Sequence, residues 1–449
     1  MQEHEAEYNY LEDTFKKGGK QVTIVYGMNQ VGKSFLFKNF ALFHDGIFFS
    51  CAPASSKEIR RSFTKNLGIF DLDGGEVMPY EKIFSYIFAD KNKKHVLIID
   101  NFHYMIRNDA TFFPLLIQYM ENNLENCLVY FVSSHIGWVE NQMISKVGKT
   151  ASAITGFVKM KEMTFEECCN YFPKYSTYET LIIYSVLGGQ RGYLESVNQE
   201  ISIPENICQI LISSNSYVLA RMHQYNEEQL RETSVYYTIL AALAKGNCKL
   251  NEIYNYTGFS RAKISVYLKI LMELEFVEKV FSIDTPGKSN LQKGVYRIIN
   301  PLILFYFKFI YPNETNFILQ NSFDFYENYV SQELNQIVFN KFEVVCRTMF
   351  INMNEEEDLP FFCSSIGEWA GKKGTIPIVA KNEMEQYLVG FSNHTEAKYT
   401  IKEYKTQIEL LKEAKIDPDY VYLFSLHGYQ SELVTFADQH KTLILIDME

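Results

Sequence analysis

An α/β fold is predicted, with a P-loop parallel-sheet core, a helical lid, a winged-helix domain and a second α/β domain at the C-terminal end. Three observations lead to it. The β-branched run QVTIVY (21–26) passes straight into GMNQVGKS (27–34) and then into the apolar helical stretch FLFKNFALF. Two further apolar runs, KKHVLII before Asp100 and CLVYFVSS (127–134), read as strands buried on both faces of a parallel sheet. Beyond Met160 the pattern changes to aromatic-striped helices, then to helix, turn, helix and hairpin, then to alternating strand and helix up to LILIDM (443–448). The expected boundaries are 1–157 for the core, 158–231 for the lid, 232–312 for the winged helix and 320–449 for the last domain.

Composition bounds the rest. At 449 residues the chain exceeds one ordinary core, and with 47% hydrophobic and 15% aromatic residues it can bury several. Acidic residues outnumber basic ones by 54 to 43, a net charge of −11, which excludes a general nucleic-acid coat but leaves room for a local basic face. The eight cysteines form no CxxC pair and no metal-ligand spacing, as expected of reduced thiols. The first ten residues, MQEHEAEYNY, are acidic where a signal peptide would be basic. The apolar run LILFYFKFIY (302–311) is too short for a bilayer and carries Lys308. A cytoplasmic protein without a membrane partner is expected.

GMNQVGKS is the pattern GxxxxGK(S/T) in the strand–loop–helix setting its chemistry needs. Its glycines let backbone N–H groups curl around phosphate oxygens at a helix N-terminus. The expected nucleotide-binding residues are Gly27, Met28, Asn29, Gln30, Val31, Gly32, Lys33, Ser34 and Phe35, with ATP and Mg²⁺ as cofactors. Lys33 supplies a point charge for the β- and γ-phosphates. Ser34 is expected to offer its hydroxyl to magnesium, and Asp100, at the tip of its strand, to hold the ion through water. The next residue, where a water-polarising glutamate usually stands, is Asn101. Ser133 and Ser134, at the tip of the third strand, are the expected γ-phosphate sensors, although a serine pair can equally well just end a strand.

In the lid, Gly188–Gly189 breaks a helix and Arg191 follows, placed either to reach a nucleotide or to lie solvated on the surface. TSVYYTILAALAKG, KLNEIYNYTGF and SRAKISVYLKILMELEFVEKV read as three helices, the third opening on Ser260 as an N-cap and running into a strand. FSIDTPGKSNLQKGVYRI reads as strand, loop and strand, completing a winged helix. Arg261, Lys263 and Lys269 on the third helix, with Lys288 and Lys293 in the wing, are the expected DNA contacts. Packing against protein is the other use of such a module.

The ordered set YGMNQVGKS, LIIDNFHYM, YFVSSHIGWVE, YSVLGGQRGYL, INPLILFYFKFIYPN and FYENYV (325–330) resembles the archaeal-type ATPase family, a prokaryotic branch of the AAA-like P-loop proteins. The resemblance spans essentially the whole chain. It implies a winged helix after the core and a C-terminal restriction-endonuclease-like domain. Several positions depart from the family pattern. Met28, Asn29 and Gln30 stand where it has arginines, Asn101 where it has an acid, and Ala153 and Ile154 where it has an arginine pair. In the last domain Pro377 replaces a metal-binding aspartate, and Phe391 and Asn393 replace the glutamate and lysine, while Glu343 and Glu368 survive. The nearby Glu396-Ala397-Lys398 lies past the matching strand end and reads as coincidence.

The groups that grip phosphate and magnesium are thus retained, and those that align water or neutralise developing charge are replaced. An arginine at the transition state is worth about 10³–10⁵ in rate. ATP binding with slow or absent hydrolysis is therefore expected, and no nuclease activity. Asp109 or Glu140 is the alternative source of a catalytic acid. Three functions fit: a nucleotide-gated regulator associated with DNA or a protein partner, a working ATPase that remodels nucleic acid or protein, and an interaction scaffold with a structural nucleotide. The missing arginines favour a monomer or small oligomer.

Overall fold

The computed structural model describes residues 5–69, 77–90, 93–285 and 294–449. The chain forms two compact units, Met1–Glu162 with Gln190–Gly192, and Met163–Gly189 with Tyr193–Glu449.

The first unit is built on a five-stranded sheet of order β2-β3-β4-β1-β5, with every neighbouring pair parallel. Its strands are β1 (Lys20–Tyr26), β2 (Ile47–Ser50), β3 (His95–Asp100), β4 (Cys127–Ser133) and β5 (Gly156–Lys159). Two-residue periodicity divides the strand side chains between the faces. Val25, Ile98 and Tyr130 pack beneath α1 (Glu5–Lys17) and α2 (Lys33–Phe43). Ile24, Leu97, Ile99 and Val129 pack against α3 (Ser56–Asn66), α4 (Tyr80–Ile87), α5 (Phe102–Asn108) and α6 (Phe112–Asn123). Every residue of β3 and β4 is buried, which is why these strands read as unbroken apolar runs. The short strands IFFS and GFVK are additions to the three expected from sequence.

Asp109, weighed above as a catalytic acid, fastens the helices of one face. Its Oδ2 accepts from Ser56 Oγ at 2.8 Å, Arg60 Nη2 at 2.8 Å and Tyr80 at 3.0 Å, and its Oδ1 accepts from Thr111. Burial alone would raise its pKa, but the bonds from Thr111, Ser56 and Tyr80 outweigh burial and hold it down at about 2. Glu140 is paired with Lys159 at 3.1 Å.

In the second unit, Thr164, Ser176 and Ser202 each open a helix through a reciprocal capping box with a glutamate. The helix Thr177–Leu187 stops at Gly188, whose φ of 72° suits glycine. One hydrophobic core runs through these helices, the winged helix, the long helix Ser331–Glu355 and one face of the last sheet. That sheet has the order β12-β11-β10-β9-β8. Its strands β8 (Ser365–Ala370), β9 (Thr375–Lys381) and β10 (Tyr387–Ser392) run antiparallel. Strands β10, β11 (Tyr420–Ser425) and β12 (Leu443–Asp447) run parallel. The architecture is α/β in both units.

Pro377 lies in β9, an interior strand, and not at an edge. The β8–β9 ladder is irregular between Gly367 and Trp369, opposite Pro377, so its missing N–H falls at a break in the pairing. Six of the eight cysteines are buried, and Cys169 and Cys248 are half-buried.

The Asp109 network predicts that Asp109→Asn lowers unfolding stability by about 2 kcal/mol at neutral pH. Because the folded pKa lies below the unfolded value of 3.8, this contribution is complete above that value and is lost as pH falls towards about 2. Urea unfolding of both proteins between neutral pH and pH 3 measures it.

Candidate functional site

Strand β1 delivers the chain to a loop that glycine alone can shape. Gly27 approaches β5 so closely that a Cβ would lie 2.2 Å from the Met160 carbonyl oxygen. Gly32 caps α2 with a φ of 98°, in the left-handed region. Gln30 also takes a positive φ, 63°, at the loop apex.

Lys33 is buried, and its Nζ donates to the carbonyls of Gly27 at 2.9 Å and Met28 at 2.5 Å. Burial lowers its pKa to about 8, against the opposing pull of Asp100. Asp100 is also buried, and loss of solvent raises its pKa despite the hydrogen bond from Ser34 and the charge of Lys33. Ser34 Oγ donates to Asp100 Oδ2 at 2.8 Å. A hydroxyl beside a carboxylate is the oxygen-donor chemistry that magnesium takes, so these residues fit the ion. Ser50, from β2, adds a longer bond to the same oxygen at 3.4 Å, a partner the sequence did not reveal. No group of three or more His, Cys, Asp or Glu among the described residues could hold a metal, so substrate and water oxygens would have to complete the shell.

Asn101 follows in the left-handed conformation, φ 52°, which asparagine tolerates better than most residues. Its Nδ2 donates to Ser50 Oγ at 3.3 Å, and its backbone N–H donates to Asp100 Oδ1 at 2.9 Å. An amide here can orient a water but cannot accept its proton.

Ser133 is fully buried. Its Oγ accepts from the His135 N–H at 3.0 Å and pairs with His103 Nδ1 at 2.9 Å. The two imidazoles lie with centroids 3.7 Å apart. Burial drives His103 far below its ordinary pKa and His135 down to about 3, so the pair is neutral. Ser134 is half-buried and is the more accessible of the two serines.

The winged helix comprises the helices Thr233–Ala244, Leu250–Thr257 and Arg261–Glu273 and the hairpin β6 (Val277–Val280) and β7 (Val295–Ile298). Ser260 accepts from Lys263 N–H as the N-cap. The first wing strand is VEKV, where the third helical segment is expected to run into a strand, and FSI adds no strand of its own. Arg261 donates to Asn251 at 2.8 Å and lies over Tyr254, Lys263 lies beside Phe259 and Tyr267, and Lys269 makes a long ion pair with Glu273 at 3.9 Å. Lys288 and Lys293 lie outside the described residues.

The segment after β6 attaches to the edge of the C-terminal sheet. Ile283 N–H donates to the Glu368 carbonyl at 2.8 Å, and Trp369 Nε1 donates to Asp284 at 3.1 Å. The Glu368 carboxylate binds Arg297 of β7 at 2.6 Å and Arg347 of the long helix at 2.9 Å. Arg347 also donates to the carbonyl of Pro377 at 3.0 Å. Glu343 pairs with His394 at 2.9 Å, and Glu396 accepts from Asn335 at 2.8 Å. Asn393 is buried, donating to the carbonyls of Thr395 and Ala397, and Phe391 is part of the core.

Residues 237–279 match a family described as bacterial regulatory proteins of the arsR family, and residues 306–408 match one described as archaea bacterial proteins of unknown function. An uncharacterized protein of Methanocaldococcus jannaschii is 26% identical over 387 residues, covering 86% of this chain and 85% of that one. Among solved structures, the Aeropyrum pernix ORC2 protein in ADPNP–ADP complexes is 13% identical, covering 76% of this chain and 95% of its own, with a TM-score of 0.44. The ORC1 protein of the same organism, in complex with DNA, is 14% identical over 71% of this chain and 94% of its own, with a TM-score of 0.35. No described helix is long and apolar enough to cross a membrane.

Glu368→Gln would leave two guanidinium groups short of their shared counter-charge. It is predicted to destabilise the second unit by about 2–4 kcal/mol. It should also speed amide exchange at Ile283, measured by hydrogen–deuterium exchange.

Proposed function

We propose that the chain is an ATP-binding regulatory protein of the archaeal-type ATPase kind, which holds Mg-ATP and hydrolyses it slowly or not at all unaided. The observation that carries this reading is the Lys33–Ser34–Asp100 constellation beneath a glycine-shaped loop, followed directly by Asn101. Loop amides and the Lys33 ammonium bind phosphate, and Ser34 and Asp100 take the magnesium, which when bound would neutralise phosphate charge. Affinity in the micromolar range, roughly 8 kcal/mol, is within reach of such a cradle. Hydrolysis also needs a base or water-orienting group and a charge-neutralising arginine. Asp109 is held by four side chains and Glu140 by Lys159, so neither supports the working-ATPase alternative.

Arg261, Lys263 and Lys269 support DNA as a partner of the winged helix, with Val266, 58% exposed, available to a thymine methyl. In the endonuclease-like reading of the last domain, Arg347 places a fixed cation on the Pro377 carbonyl, beside the position of the lost metal-binding aspartate. That arrangement supports a domain retained for binding and not for cleavage.

Titration of a fluorescent ATP analogue into the purified chain with magnesium is expected to give micromolar affinity, weakened at least about tenfold in Lys33→Ala, with turnover near background. Brisk turnover or absent binding would overturn the reading. The depressed Lys33 pKa adds a pH signature. Bound phosphate favours the charged ammonium, so below pH 8 binding needs no proton uptake, while above it affinity falls as pH rises, approaching about tenfold per unit. Calorimetry in buffers of different ionisation enthalpy reads that proton directly.

A further inference from the structure

The segment Gln190–Gly192 belongs to the nucleotide unit, although its flanking residues belong to the other. Two hydrogen bonds fix it to the loop apex. Gly192 N–H donates to the Gln30 carbonyl at 2.9 Å, and the buried Gln190 donates from Nε2 to the Asn29 carbonyl at 3.2 Å. Glycine at 192 permits this approach, since a Cβ there would lie 2.1 Å from the Gln30 side-chain oxygen. Held in this way, Arg191 places its guanidinium over the Phe35 ring, 4.8 Å from the centroid. Phe35 is 55% exposed, whereas Phe37 and Phe40 of the same helix are buried.

The position of Phe35 gives the pair its meaning. Lys33 and Ser34 serve the terminal phosphates and magnesium, while the first-turn amides beyond them face the α-phosphate side of a nucleotide. A ring kept more than half exposed at that point, with a cation over it, offers a stacking surface and a charge together. The apex of the loop carries Met28, Asn29 and Gln30 and supplies no cation of its own.

We propose that Arg191 and Phe35 clamp a purine nucleotide from the α-phosphate side, the guanidinium contacting phosphate and the ring supporting the base. This rests on the nucleotide-binding reading above and adds the residues that set affinity. The clamp touches parts common to ATP and ADP, so it strengthens both alike and leaves the chemistry at the γ-phosphate unchanged. Arg191 is a binding residue in this arrangement and not a transition-state arginine.

The test is calorimetric titration of Mg-ATP and Mg-ADP into the full chain, comparing wild type with Arg191→Ala, Arg191→Lys, Phe35→Ala and Lys33→Ala. Arg191→Ala is expected to weaken both nucleotides by about tenfold or more and to a similar extent, as loss of a charged hydrogen bond does. Arg191→Lys should recover part of the loss by keeping the charge without the fork. Phe35→Ala should weaken both nucleotides as well. Unchanged affinity in Arg191→Ala would overturn the clamp, and so would a loss confined to ATP, which would move the arginine to the terminal phosphate. Wild type that binds neither nucleotide would remove the nucleotide reading itself and the clamp with it. Should the alanine variant fail to fold, Arg191→Gln decides by the same criteria.

Discussion

The buried ammonium of Lys33 is the constraint on which the first unit depends. A desolvated charge is tolerated only when the surroundings compensate it. Here the compensation comes from the Gly27 and Met28 carbonyls and, at longer range, from the buried Asp100. Asp100 in turn is held by Ser34, Ser50 and the Asn101 amide. Removing Lys33 would therefore disturb Asp100 and its partner Ser34 as well as the loop. The depressed pKa of Lys33 and the raised pKa of Asp100 record the same desolvation from its two ends. A triphosphate with its metal is the kind of ligand that would satisfy both.

The second unit solves a different charge problem. Glu368, at the break in the β8–β9 ladder, is shared by Arg297 and Arg347, so the wing, the long helix and the edge of the last sheet meet on one carboxylate. The base of the wing is thereby part of the sheet's edge, and the solvent-facing side of helix Arg261–Glu273 remains the surface open to a partner. Glutamate at this position holds protein together through two fixed cations, which leaves it poorly placed to serve a metal.

What the sequence made legible was local. The loop glycines, Lys33, Ser34, the apolar run before Asp100, the cap at Ser260 and the helix stop at Gly188 are all specified by residues within a turn or two of one another. What it hid was set by contacts between distant segments. Ser133 ends its strand as expected, yet its hydroxyl turns to His103 and His135, and no spacing announces that. Sequence alone favours a solvated Arg191, whereas the return of Gln190–Gly192 places it over Phe35. Asp109 looked like a spare acid because its partners Ser56, Arg60 and Tyr80 lie far back in the chain. A strand proline is tolerated only at an edge or a bulge, and Pro377 meets the second condition, because the β8–β9 ladder breaks opposite it and β10 pairs with β9 only as far as Ile378.

In the proposed function the Lys33–Ser34–Asp100 site grips a triphosphate, and Asn101, which cannot take a proton from water, leaves it intact. The most direct measurement is a single-turnover experiment: stoichiometric Mg-ATP is bound, excess nucleotide is removed, and the bound species is identified over hours. Intact ATP recovered from the protein is the predicted result. Conversion of the bound ATP to ADP within minutes, in the absence of any partner, would contradict it.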